Sequence, residues 1–151
     1  MNVSLLGADT EVRVRFDLEV DDGFPPISAE VLIGKLESIG HVRLDNTPFF
    51  ATGVAFGDIV RCIGCPPNLI FASIAFESGY RAISVIFIDN SYQEELFQSL
   101  KVLGCYVEFG EFPEYDMIAV AIPPDLNYDE IKQKLDKLET EGKISFAELC
   151  L

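Results

Sequence analysis

Positive charge is scarce in this sequence. Eleven Lys and Arg stand against twenty-five Asp and Glu, which leaves a net charge of −14 and a pI near 4.2. A surface of that sign repels phosphate backbones and anionic lipid, so neither nucleic acid nor membrane is an expected partner. It favours cationic partners, a basic protein above all. Long apolar runs are missing too. The longest uncharged stretch, Cys62 to Phe76, is broken by Cys65-Pro66-Pro67 and is too short to span a bilayer. Met1 to Gly7 has neither the charged start nor the long apolar segment of a signal peptide, so a cytoplasmic location is expected.

The residues that usually carry chemistry are thin as well. His41 is the one histidine, and no Gly-x-Ser-x-Gly elbow accompanies it. Gly34, Gly40, Gly53 and Gly57 lack the spacing of a phosphate-cradling loop. Cys62-Ile63-Gly64-Cys65 is a lone CxxC, with Cys105 and Cys150 far away in the chain. A zinc site needs two further ligands, and a redox pair belongs at a helix start rather than before Pro66-Pro67. Buried, inert thiols are expected. Asp58, Glu77 and His41 have the right types for acid–base work but no motif behind them. No metal, cofactor or enzymatic activity is expected.

What is present is a foldable core. Apolar residues make up 49% of 151 residues, ample for one domain or two small ones and incompatible with wholesale disorder. Met1 to Thr10 reads as a loose leader. Val12, Val14, Phe16, Leu18 and Val20 then alternate with Arg13, Arg15, Asp17 and Glu19, the period of a half-buried strand. Further short strands separated by turn residues follow up to residue 80, including one bent at Gly53 and Gly57 between Pro48 and Ile63. About five strands at this spacing predict a small bent sheet or SH3-like barrel over residues 1–80.

Residues 81–151 have another rhythm. Strands are expected at Arg81–Ile88, Cys105–Phe112, Asp116–Ile122 and Ile144–Leu151. A helix fits between Ser91, as N-cap with Glu94 completing a capping box, and Gly104 as C-cap. A second fits Tyr128 to Glu141, with Ile131, Leu135 and Leu138 on one face. The order β-α-β-β-α-β predicts a ferredoxin-like unit. The fold class is therefore α+β, with the two halves packed directly on each other.

Charge is concentrated in one place. Glu108, Glu111, Glu114, Asp116, Asp125, Asp129 and Glu130 follow one another with no Lys or Arg between them. Aromatics are interleaved, among them Phe112 and Tyr115 at the tip of a predicted hairpin that has little interior to reach. Acids with aromatic anchors form a surface for a basic protein. Glu108, Glu111, Phe112, Glu114, Tyr115, Asp116 and Asp125 are the expected contact residues.

The middle of the chain carries a resemblance. Leu44-Asp45-Asn46-Thr47-Pro48-Phe49-Phe50-Ala51, then Gly53-Val54-Ala55 and Gly57-Asp58-Ile59-Val60, resembles the bacterial family known as domain of unknown function 4265. Ser28-Ala29-Glu30 and Leu103-Gly104-Cys105 with Glu108 agree with its pattern, while Val31-Leu32-Ile33 stands where that pattern has an aromatic. The resemblance implies a bacterial, cytoplasmic protein and brings no catalytic residues. The motif also has a physical reading. Asn46 suits a left-handed turn, Pro48 fixes the entry to a strand, Phe49 is apolar filling, and Gly53 and Gly57 permit bends. Asp58 is placed to accept from backbone donors of the adjoining turn. These observations lead to an expected function: an acidic, non-enzymatic binding protein of the immunity type, which occludes a basic toxin such as a nuclease. The alternative is a small-molecule-sensing ferredoxin-like domain.

Overall fold

Alternation along the first strand sets the barrel. In β1 (Glu11–Asp17) Val12, Val14 and Phe16 point inward, and Glu11, Arg13, Arg15 and Asp17 face out. The computed structural model describes residues 9–151. The predicted leader lies outside these residues except for Asp9 and Thr10, which exchange backbone hydrogen bonds with Leu36. β2 (Ala29–Ser38), β3 (His41–Leu44), β4 (Ile59–Cys65) and β5 (Asn68–Phe76) follow as an antiparallel meander that closes on β1. An odd meander brings its first and last strands together in the same direction, and β1 does pair with β5 in parallel. Val12, Val14, Leu32, Leu36, Val42, Leu44, Val60 and Leu69 fill the barrel.

The second unit is a four-stranded antiparallel sheet in the order β7-β8-β6-β9. Its strands are β6 (Arg81–Phe87), β7 (Tyr106–Phe112), β8 (Tyr115–Ile122) and β9 (Ile144–Cys150). Helices α1 (Gln93–Leu103) and α2 (Tyr128–Thr140) bury Leu96, Leu100, Ile131 and Leu135 against Ile83, Val85, Ile118, Val120 and Ile144. Gly104 ends α1 in the left-handed region at φ 106°, as the sequence predicts. The helix start differs. Asp89, not Ser91, is the cap: its carboxylate accepts from the Ser91 amide and hydroxyl, a single turn of 3-10 helix follows, and α1 begins at Gln93. A charged acceptor makes the stronger hydrogen bonds. The result is a mixed α+β protein with a closed five-stranded barrel.

One prediction for the first half is overturned. The segment between β3 and β4, residues 45–58, is an irregular loop and not a bent barrel strand, so Pro48 introduces no strand. Its backbone donors turn to side chains instead of a ladder. Gly53 and Gly57 take φ values of 78° and 83° as turn positions. Asn46 is not left-handed; its side-chain oxygen accepts from the Ile33 amide at 2.9 Å and so extends the β2–β3 ladder past Leu44.

Candidate functional site

The 45–58 loop joins the two units. Glu30, at the inward-facing start of β2, is buried at 7% exposure. Its carboxylate accepts from the amides of Phe49 at 2.6 Å, Phe50 at 3.1 Å and Ala51 at 2.9 Å. Asp58, buried at the loop's other end, accepts from Ala55 at 2.9 Å and from Ser78 at 2.8 Å. Sequence reasoning anticipated the role of Asp58 and missed that of Glu30. The Gly53 amide donates to the Leu149 carbonyl of β9 at 2.9 Å. Glu30 therefore ties the loop to the barrel, Asp58 ties its end to Ser78 between the units, and the Gly53–Leu149 bond ties it to the sheet.

The sheet offers a face shaped for that loop. Helices cover one side; on the other, Ala82, Ser84, Met117, Ala119 and Ala121 are buried, and Gly110 lies beside them on β7. Small residues leave room for rings. A Cβ on Gly110 would come within 2.7 Å of the Phe49 ring, so the strand accepts that ring only because the position is glycine. Phe112 packs edge-on against Phe49 and Phe50, with centroids 5.5 and 4.9 Å away. Tyr115 packs against Phe24 at 5.8 Å. A second cluster, Phe56, Tyr80 and Tyr106, closes the far end of the joint. The expectation that the hairpin tip has little interior to reach is thus corrected: Phe112 and Tyr115 are half-buried against the barrel's rings.

The acids predicted with them separate into three places. Glu111 and Glu114 are exposed at the tip of the β7–β8 hairpin, and neither forms an ion pair among the described residues. Asp116 is half-buried beside them and accepts from the Gln93 side chain at 3.2 Å. Glu108 faces the barrel. Partial burial there pushes its carboxyl above the usual range, the Asp45 charge adds to this, and the Thr47 amide partly offsets it. Asp125 is exposed at the other end of the strands, near Tyr80. The eight-residue strand β8 separates it from Glu114 by about 25 Å at ~3.3 Å per residue. Glu111, Glu114 and Asp116 form the compact acidic group; Asp125 stands apart from it.

The remaining candidates stay dispersed. His41 is half-buried at a strand start, with Nδ1 3.2 Å from the Ile39 carbonyl oxygen. Burial pushes the Cys62 and Cys105 thiols up to about 11. Cys65, contrary to the expectation of buried thiols, is exposed at the β4–β5 turn. Among the described residues no group of three or more His, Cys, Asp or Glu is placed to hold a metal ion. No helix among them is long and apolar enough to cross a membrane.

No curated protein matches this chain. The fold does have a solved counterpart: the crystal structure of a hypothetical protein from Neisseria gonorrhoeae superposes with a TM-score of 0.74, over 95% of each chain and at 22% identity. Likeness at that identity speaks for the fold. The family pattern described as domain of unknown function (DUF4265) matches residues 30–146, from the clamp residue Glu30 through the loop, both helices and the acidic hairpin, and the chain belongs to that family.

Proposed function

We propose that this protein is a non-enzymatic binding protein that takes a basic protein partner on the β7–β8 hairpin. The observation that carries the reading is the pair Glu111 and Glu114, exposed and with no ion pair among the described residues, on a hairpin anchored from behind by Phe112 and Tyr115. Anchoring matters because it holds the acids in place before the partner arrives, which reduces the ordering cost of association. Uncompensated acids steer a cationic partner at long range, with an on-rate that falls as salt shortens the Debye length to about 10 Å at 0.1 M. An immunity-type role, in which the chain occludes a basic toxin such as a nuclease in a bacterial cytoplasm, fits this chemistry. We read the helix-backed sheet as ferredoxin-like and the barrel as SH3-like. The strand order β7-β8-β6-β9 with two helices on one face, and the closed meander, support that finer reading.

The small-molecule alternative has hollows of ligand size, about 330 Å³ between α1 and α2 and about 520 Å³ beside Phe24 and Phe50. The apolar cavity in the joint, lined by Phe24, Phe49, Phe50, Ile86, Met117 and Phe146, is smaller at about 180 Å³. The test of the leading reading is differential crosslinking in the bacterial host with the wild type and with Glu111→Lys/Glu114→Lys. A basic protein captured by the wild type and lost by the variant is the expected result. Equal capture by both, with the variant folded, contradicts it.

A further inference from the structure

The two edges of the four-stranded sheet are treated differently. On β9 the Phe146 amide donates to the Glu139 carboxylate at 3.0 Å, and the Leu149 carbonyl accepts from Gly53. That edge is covered. On β7 no hydrogen bond among the described residues reaches the outward backbone groups. The hairpin geometry identifies them. Phe112 pairs with Tyr115 across the two-residue turn Pro113-Glu114. In such a turn the closing pair is the hydrogen-bonded one, so by alternation Val107, Phe109 and Glu111 turn their N–H and C=O outward. Natural edges are usually blunted by charged side chains, lysine above all, by proline or by a bulge. β7 runs Tyr-Val-Glu-Phe-Gly-Glu-Phe in unbroken register with β8, with no lysine, proline or bulge; its charges are Glu108 and Glu111, which repel another acidic edge and leave a basic strand admissible.

The flanks of this edge point to an occupant. Tyr106 is 53% exposed toward the barrel side and Phe109 is 49% exposed toward the helix side, stacked on Phe97 at 4.6 Å. They offer apolar contact to both faces of an added strand. Around them stand Glu108, Glu111 and Glu114, with Asp45 close to Glu108. A second copy of a chain carrying −14 would bring like charge to like charge. We infer that the β7 edge accepts an extended basic segment of the partner as an added strand, with main-chain hydrogen bonds to Val107, Phe109 and Glu111 and cationic side chains beside the acids. This rests on the acidic-hairpin reading above and specifies how the partner engages it.

The experiment separates the two ideas. The full chain is titrated at low salt with a short peptide alternating lysine and valine, and with its counterpart N-methylated at every residue. Both carry the same charge, but only the first can donate main-chain hydrogen bonds. Each such bond is worth roughly fivefold in affinity, so two together exceed tenfold. The expected result is binding of the parent peptide about tenfold or more tightly than its methylated form, with slowed hydrogen exchange at the Val107, Phe109 and Glu111 amides. Equal affinities with no new protection on β7 overturn strand addition and leave charge attraction standing. Failure of both peptides to bind overturns the acid-driven reading along with it.

Discussion

Glu30 gives the sharpest energetic prediction. Glu30→Ala leaves the buried Phe50 and Ala51 amides and the half-buried Phe49 amide without an acceptor. A stranded buried donor costs about 1–3 kcal/mol. Loss of all three is therefore on the order of 3–9 kcal/mol, a large share of the ~5–15 kcal/mol that holds a domain together. Glu30→Gln is graded differently. One side-chain oxygen serves both Phe50 and Ala51 and survives in the amide, whereas the new NH₂ faces the Phe49 amide donor to donor. That variant should lose about 1–3 kcal/mol. Urea unfolding followed by circular dichroism and tyrosine fluorescence reads both, as a lower midpoint at unchanged slope. The order wild type, Gln, Ala is required. If Glu30→Ala costs no more than a surface substitution, within about 0.5 kcal/mol, the loop is held by its aromatic rings alone and the carboxylate clamp is not structural.

Three other outcomes follow from the same joint and core. Gly110→Ala should destabilise by about 1–3 kcal/mol, because the added methyl meets the Phe49 ring at 2.7 Å; an unchanged unfolding midpoint would show that the ring moves aside freely. Glu108 has a raised carboxyl in the folded chain, so its contribution is fully present at low pH and is lost as pH rises through the raised value. Glu108→Gln should accordingly be more stable than wild type at neutral pH, with the difference vanishing in acid; a constant difference across a pH series of unfolding curves would contradict this. With burial holding the Cys62 and Cys105 thiols near 11 and Cys65 exposed, a maleimide at neutral pH should modify Cys65 first in the native protein, as peptide mass mapping would show.

Local signals proved readable where a strand or helix buries one face. The alternation from Val12 to Phe16, the stripe of Ile131 and Leu135 and the terminating Gly104 each reflect a neighbour already fixed by backbone geometry. The loop of residues 45–58 was not readable in that way. Its phenylalanines look like barrel filling, but they pack outward onto the small-residue face of a sheet that begins at residue 81. No periodicity encodes that destination. Glu30 was hidden for a related reason: the amides it serves lie 19 to 21 residues away, and a carboxylate on a strand carries no local mark of such partners. Asp89 and Ser91 are both good caps by type, and only three-dimensional placement chose between them. At the candidate site the tip acids were legible as a run of like charge. The half-burial of Phe112 and Tyr115, the inward turn of Glu108 and the distance of Asp125 depend on how the halves dock.

Glu111 and Glu114 should draw a basic partner to the hairpin through long-range attraction. The most direct measurement is the association rate with the partner recovered by crosslinking, followed by stopped flow over a salt series for wild type and for Glu111→Lys/Glu114→Lys. The wild-type rate should fall steeply as salt rises, and the folded variant should associate far more slowly at low salt with little dependence on salt. Equal rates for the two proteins across the series would contradict it.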